Sequence, residues 1–171
     1  MSDVPVRVGI VMGSDSDWPK IKSVAAALDE FGVGYEARVM SAHRTPDVVH
    51  DFATGAAERG LKVIIAAAGG AAHLAGVCAS HTTLPVIGIP VATDLAGGLD
   101  SLLATVQMPG DVPVATVGTG SGGARNAGLL AVQILALSDP NLAEKLIHFK
   151  SDLAAKVAEK NQKLQARIRT E

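Results

Sequence analysis

Apolar residues fall along this chain in short β-branched runs that alternate with stretches of helical period. Residues 7–12, 34–40, 62–68, 85–89 and 112–117 are runs of five to seven residues, the length of buried strands. Between them, residues 18–31, 46–59, the stretch from Gly69-Gly70 to about Ser80, residues 98–106 and residues 124–137 space their apolar positions as helices do. Thr45 before Pro46 reads as an N-cap followed by a first helical residue, and Gly60 as the stop of that helix.

Continuous apolar strands alternating with helices predict a parallel sheet covered on both faces. The class is α/β, a three-layer αβα sandwich, with a flavodoxin-like, doubly wound, parallel five-stranded sheet and an extra C-terminal helix. Right-handed crossovers place every strand-to-helix loop on one edge of such a sheet. The loops at residues 13–17, 41–46 and 69–72 therefore converge. Residues 1–140 are expected to form the α/β catalytic domain.

Residues 141–171 differ in character. Apolar side chains recur at 142, 146, 149, 153, 157, 164 and 168, with Asn161 in one gap, which is a helical stripe. Residues 1–143 hold 8 Lys/Arg against 13 Asp/Glu, whereas residues 144–171 hold 7 against 4. A basic helix with an apolar stripe either folds back on its own domain or packs on a second subunit. The stripe outlasts what one small domain needs, so the expectation is a homo-oligomer.

Composition narrows the picture further. Among the 171 residues, 48% are apolar and 19% charged, as in a folded globular protein, and aromatics at 3% leave the core to Ala, Val, Leu and Ile. A net charge of -2 gives no basic footprint for nucleic acid. Cys78, the one cysteine, forms no internal disulfide and fits a reducing compartment. The opening Met-Ser-Asp-Val-Pro lacks the features of a signal peptide, and the expected location is cytoplasmic. Residues 63–79 carry His73 as their one clearly polar side chain, but Gly69-Gly70 interrupts them; a buried strand, turn and helix explain the run better than a membrane span.

The hexapeptide Ser41-Ala-His-Arg-Thr-Pro46 sets an imidazole and a guanidinium at a helix entrance. Such a place suits an anionic ligand beside a proton-transfer group, and equally a plain polar turn. Gly13-Ser14-Asp15-Ser16-Asp17 follows the first strand; its amides and hydroxyls suit a phosphate and its carboxylates suit ribose hydroxyls, provided that Arg44 offsets their charge. Asp17 also suits an N-cap. In Ala68-Gly69-Gly70-Ala71-Ala72-His73 the small residues admit a ligand close to the backbone, and His73 either orients substrate or caps the next helix. Gly118, Gly120 and Gly123 match GxGxxG formally, but after the last strand, where a dinucleotide fingerprint does not belong. His50, His81 and His148 read as structural; no HxxxH pair and no phosphate-binding GxxxxGK[ST] loop occurs, so neither a metal nor ATP is expected.

Taken together, Met12-Gly-Ser-Asp-Ser-Asp-Trp18, Ser41-Ala-His-Arg-Thr-Pro46 and Ala68-Gly-Gly-Ala-Ala-His-Leu74 resemble the N5-carboxyaminoimidazole ribonucleotide mutase family of purine biosynthesis. Pro85-Val-Ile-Gly-Ile-Pro-Val91, Asp100-Ser-Leu-Leu103, Val106-Gln-Met-Pro109 and Asn126-Ala-Gly-Leu-Leu-Ala131 extend the likeness over roughly residues 6–137. Arg44-Thr45 resembles the class I mutase pattern; class II enzymes, which carboxylate aminoimidazole ribonucleotide directly, typically carry Lys-Gly there. Ala75 departs from a proline found in many relatives. The resemblance implies movement of a carboxylate from the exocyclic nitrogen of a ribonucleotide to ring carbon 4, without cofactor or metal. It implies His43 as general acid/base. It also implies Ser14, Asp17 and Arg44, helped by Ser16 and Ser41, as substrate-binding residues. The wall formed by Ala68, Gly69, Gly70, His73 and Leu74 completes the expected site. An octamer, in which the C-terminal helix reaches a neighbouring subunit, is implied as well.

Overall fold

The computed structural model describes residues 4–170. The chain divides between residues 134 and 135 into two compact units. In the first, five parallel strands lie in the order β2-β1-β3-β4-β5: β1 (Val6–Met12), β2 (Gly34–Val39), β3 (Val63–Ala68), β4 (Val86–Pro90) and β5 (Ala115–Thr116). This is the doubly wound order expected, with the switch between β1 and β3.

Every residue of β1 from Val8 to Met12 is buried, as are Val63–Ala67 of β3 and all of β4. Successive strand side chains point to opposite faces, so both faces must be covered. On one, Val11, Ile64, Ala66 and Val86 pack with α3 (Pro46–Thr54) and α4 (Leu74–Ser80) through Val49, Phe52, Leu74 and Cys78. Val8, Ile10, Ile65 and Ile87 supply the buried side chains of the other. The remaining helices of this unit are α1 (Trp18–Ile21), α2 (Ser23–Phe31), α5 (Leu99–Val106) and most of α6 (Gly120–Ala136). The Cys78 thiol is inert, its pKa pushed up to about 12 by burial.

Several boundaries differ from the expected ones, each for a local reason. The helix read through residue 59 stops at Thr54: Ala56 N–H turns to Ala53, while the Arg59 guanidinium takes the Phe52 carbonyl at 2.9 Å. That carbonyl is the one a continuing helix would have offered to Ala56. The strand read over 112–117 shortens to Ala115–Thr116, because Asp111 is left-handed (φ 70) and Pro113 has no N–H to donate. Lys22 separates the segment 18–31 into α1 and α2.

The second unit consists chiefly of α7 (Pro140–Ile168), capped by Asp139, whose carboxylate accepts the Leu142 N–H at 3.2 Å, with Pro140 as first residue. Its stripe is exposed from Leu153 onward, at Val157, Leu164 and Ile168. Among the described residues no helix is long and apolar enough to cross a membrane.

Among the glycines at 118–123, Gly123 has a packing explanation and Gly120 a left-handed backbone (φ 78). α6 begins at Gly120, four residues before the predicted start, and a Cβ on Gly123 would overlap the Gly118 carbonyl oxygen. Gly123→Ala is therefore expected to lower the unfolding free energy by about 1–3 kcal/mol, read from urea denaturation, since a backbone atom cannot move aside as a side chain can.

Candidate active site

Three loops meet beyond the carboxyl ends of β1, β2 and β3 around an open cleft of about 230 Å³. Gly13, Ser14 and Asp17 come from the first loop, Ser41–Arg44 from the second, and Ala68, Gly69, Ala71, His73 and Leu74 from the third. Ser16 and Gly70 do not line the cleft. The Ser16 hydroxyl sits 2.8 Å from that of Ser14, and Gly70 turns its N–H away to Ser101.

The first loop is a single 3₁₀ turn, Asp15–Asp17, closed by a capping box. Ser14 Oγ accepts the Ser16 N–H, and the Asp17 carboxylate reaches back to the Ser14 N–H at 3.2 Å. Asp17 occupies the N-cap position of α1 without capping it. Its partial burial raises its pKa, against the lowering influence of the Ser14 amide and Lys20.

The second loop is bonded to itself. Ser41 Oγ accepts the N–H groups of His43 (3.3 Å) and Arg44 (3.2 Å). Thr45 stands at the N-cap position of α3 but does not cap it. Its hydroxyl accepts the Ser41 N–H at 2.9 Å and donates to the Ser41 carbonyl at 3.2 Å. Arg44 Nη2 donates to the Gly13 carbonyl at 2.9 Å and so joins the second loop to the first. Arg44 Nε donates to Ser41 Oγ at 3.4 Å, and the guanidinium N–H groups outside these two bonds suit an anion at the cleft edge.

His73 occupies the N-cap position of α4, again without a side-chain cap. Its ring meets that of His43 edge to face, with His43 Nε2 and His73 Nδ1 2.8 Å apart. A contact that short requires one nitrogen to carry the hydrogen and the other to present its lone pair. The tautomer of one imidazole thus sets that of the other. The sequence placed both rings on one sheet edge but gave no sign of this bond across 30 residues.

His50 and His81 form a second edge-to-face pair, ring centroids 4.8 Å apart, between α3 and the end of α4 and outside the cleft. Among the described residues no three His, Cys, Asp or Glu side chains gather as a metal site would require.

An open parallel α/β sheet with its polar cleft at the β1/β3 switch defines a small-molecule site of the doubly wound class. The chain belongs to the AIR carboxylase family, whose model matches residues 7–156. It is 58% identical over 159 residues to a Mycobacterium tuberculosis protein named N5-carboxyaminoimidazole ribonucleotide mutase, covering 93% of this chain and 90% of that one. A Thermotoga maritima protein of the same name is 55% identical, with 93% and 92% covered. The crystal structure of Treponema denticola PurE superposes with a TM-score of 0.83 at 30% identity, covering 92% of this chain and 97% of that chain.

Asp17 gives the first test of the cleft. A carboxylate with a raised folded-state pKa binds its proton more tightly folded than unfolded, so its ionisation costs stability as pH rises from the ordinary carboxylate range through the folded value. Asp17→Asn is expected to raise the Tm of the empty protein at pH 7 and to lose that advantage as the pH is brought towards 4 or below. Thermal unfolding at a series of pH values reads this directly. The same variant should bind a ribonucleotide more weakly, because an amide accepts hydrogen bonds from sugar hydroxyls less strongly than a carboxylate.

Proposed function

We propose that this protein converts N5-carboxyaminoimidazole ribonucleotide to 4-carboxy-5-aminoimidazole ribonucleotide in purine biosynthesis. The observation that carries the reading is the meeting, in one cleft, of the paired imidazoles, the Arg44 guanidinium, the Asp17 carboxylate and a wall of small residues. The relatives of that name at 58% and 55% identity support the particular reaction.

The chemistry divides among the loops. Arg44, with the Ser14 hydroxyl, holds the 5′-phosphate. Asp17 accepts hydrogen bonds from ribose hydroxyls. His43 gives a proton to the exocyclic nitrogen as its carbamate C–N bond breaks, which releases carbon dioxide and leaves a neutral amine. Ring carbon 4 then attacks the carbon dioxide, and His43, now a base, removes the hydrogen from that carbon, so the proton balance closes. His73 receives or donates the hydrogen at His43 Nε2 and holds that ring in position. Ala68, Gly69, Ala71 and Leu74 form a wall small enough to admit the imidazole and to keep carbon dioxide beside it. No step calls for a metal or an organic cofactor.

The exposed apolar positions of α7 at Val157, Leu164 and Ile168 support a homo-oligomer, for which we propose an octamer. The pathway supports a cytoplasmic location.

His43→Asn is the deciding variant. It should remain folded and octameric and still bind nucleotide, with turnover of the carbamate substrate reduced at least about 10²-fold, the lower range for loss of a general acid/base. Steady-state assay beside gel filtration measures both, and near-normal turnover contradicts the assignment. Product formed from aminoimidazole ribonucleotide and low bicarbonate, without the carbamate, would instead mark a carboxylase on the same fold.

A further inference from the structure

The Gly69–Gly70 turn is braced from behind by side chains that do not line the cleft. Ser101, in the first turn of α5, is fully buried, and its Oγ accepts the Gly70 N–H at 2.9 Å. A hydroxyl so enclosed is retained only where it is paired. Its remaining hydrogen faces Asp100, with Ser101 Oγ 3.5 Å from Asp100 Oδ1. The same carboxylate oxygen accepts the Thr93 hydroxyl at 2.6 Å.

Thr93 itself lies against the turn: a Cβ on Gly69 would stand 3.5 Å from its methyl group. The connection between β4 and α5 reverses through three successive left-handed residues, Ala96, Gly97 and Gly98 (φ 45, 67 and 96), which bring residue 93 back to residue 100. Gly70 is left-handed too (φ 66), so its peptide has a defined orientation that the Ser101 bond fixes. The hydroxyl of Thr93 holds the Asp100 carboxyl below its usual range, which keeps the acceptor ionised.

We propose that Ser101, oriented by Asp100 and Thr93, is a positioning residue that keeps the small-residue wall of the cleft closed around carbon dioxide between its release and its recapture. This rests on the carboxylate migration proposed above. In a productive turnover the C–N bond breaks, a C–C bond forms at carbon 4, and the hydrogen of that carbon leaves as a proton. When the wall opens, carbon dioxide escapes after the first of these steps, and the neutral amine leaves as aminoimidazole ribonucleotide. A released Gly70 N–H seeks water, and water enters at the wall.

The test feeds N5-carboxyaminoimidazole ribonucleotide to the full-length protein. It measures the fraction of substrate consumed that appears as aminoimidazole ribonucleotide, corrected for decay without enzyme. Ser101→Ala should raise the ratio of this leaked product to carboxylated product about fivefold, the factor equivalent to one lost hydrogen bond, while KM stays within about twofold. Thr93→Val should leak likewise, and Thr93→Ser, which keeps the hydroxyl, should restore the wild-type ratio; this pair decides the matter if Ser101→Ala does not fold. An unchanged ratio in folded Ser101→Ala, a raised KM without leakage, or equal leakage from Thr93→Ser and Thr93→Val overturns the assignment and leaves the mutase reading standing. Wild-type protein that never forms the carboxylated product overturns the mutase reading and this assignment with it.

Discussion

The parallel ladder of β1 continues one residue beyond the strand on both sides, and the positions of the cleft loops follow from that continuation. Met40 N–H donates to the Met12 carbonyl at 2.9 Å, and Gly13 N–H donates to the Ala67 carbonyl at 3.3 Å. Next along the sheet, Val91 N–H donates to the Ala68 carbonyl at 2.8 Å. Each bond lies where a strand has already given way to its loop, so the loops leave the sheet at fixed height and direction. Only then do the short internal bonds of each loop have a common frame. Arg44 reaches Gly13, and His43 reaches His73, because the three departures are in register.

Within that frame the second loop is shaped chiefly by its own side chains. Ser41 Oγ serves two backbone N–H groups and Thr45 Oγ1 closes the turn, while the side chains of His43 and Arg44 reach out of the hexapeptide to the other two loops, at His73 and Gly13. Hydroxyl-to-backbone bonds of this kind compete with helix capping, and here the turn wins. A proton carrier benefits from such rigidity. Efficiency in proton transfer depends on distance, and a loop whose amides are already satisfied does not rearrange when a ligand arrives.

The strand-and-helix alternation, the sheet class and the convergence of three loops were legible in the sequence, because continuous apolar runs leave little choice but a sheet buried on both faces. What escaped depends on partners distant along the chain. Arg59 ended α3 early by taking the Phe52 carbonyl, an exchange that no local period registers. Pro113 and the left-handed Asp111 were present to be read, and they outweigh the β-branched content of 112–117. Thr45 has the residue type and position of an N-cap, but Ser41, four residues back, offered its hydroxyl two partners. Ser101 passed as part of a motif, since nothing in an isolated Asp-Ser-Leu-Leu says that the hydroxyl will meet a glycine amide 31 residues upstream.

The polar groups at the cleft are held under unequal conditions, and the inequality has a physical logic. Asp17 is partly desolvated and its ionised form is disfavoured while the cleft is empty; Asp100, half-buried but bonded to Thr93, keeps its charge readily. A group that touches ligand gains when binding supplies the hydrogen bonds that burial has removed. A group that braces the backbone has to be satisfied at all times, because any slack in it becomes slack in the wall. The raised Asp17 and the lowered Asp100 are thus the two conditions of one site: a contact left partly unmet until a sugar hydroxyl arrives, and a support whose bonds are complete before it does.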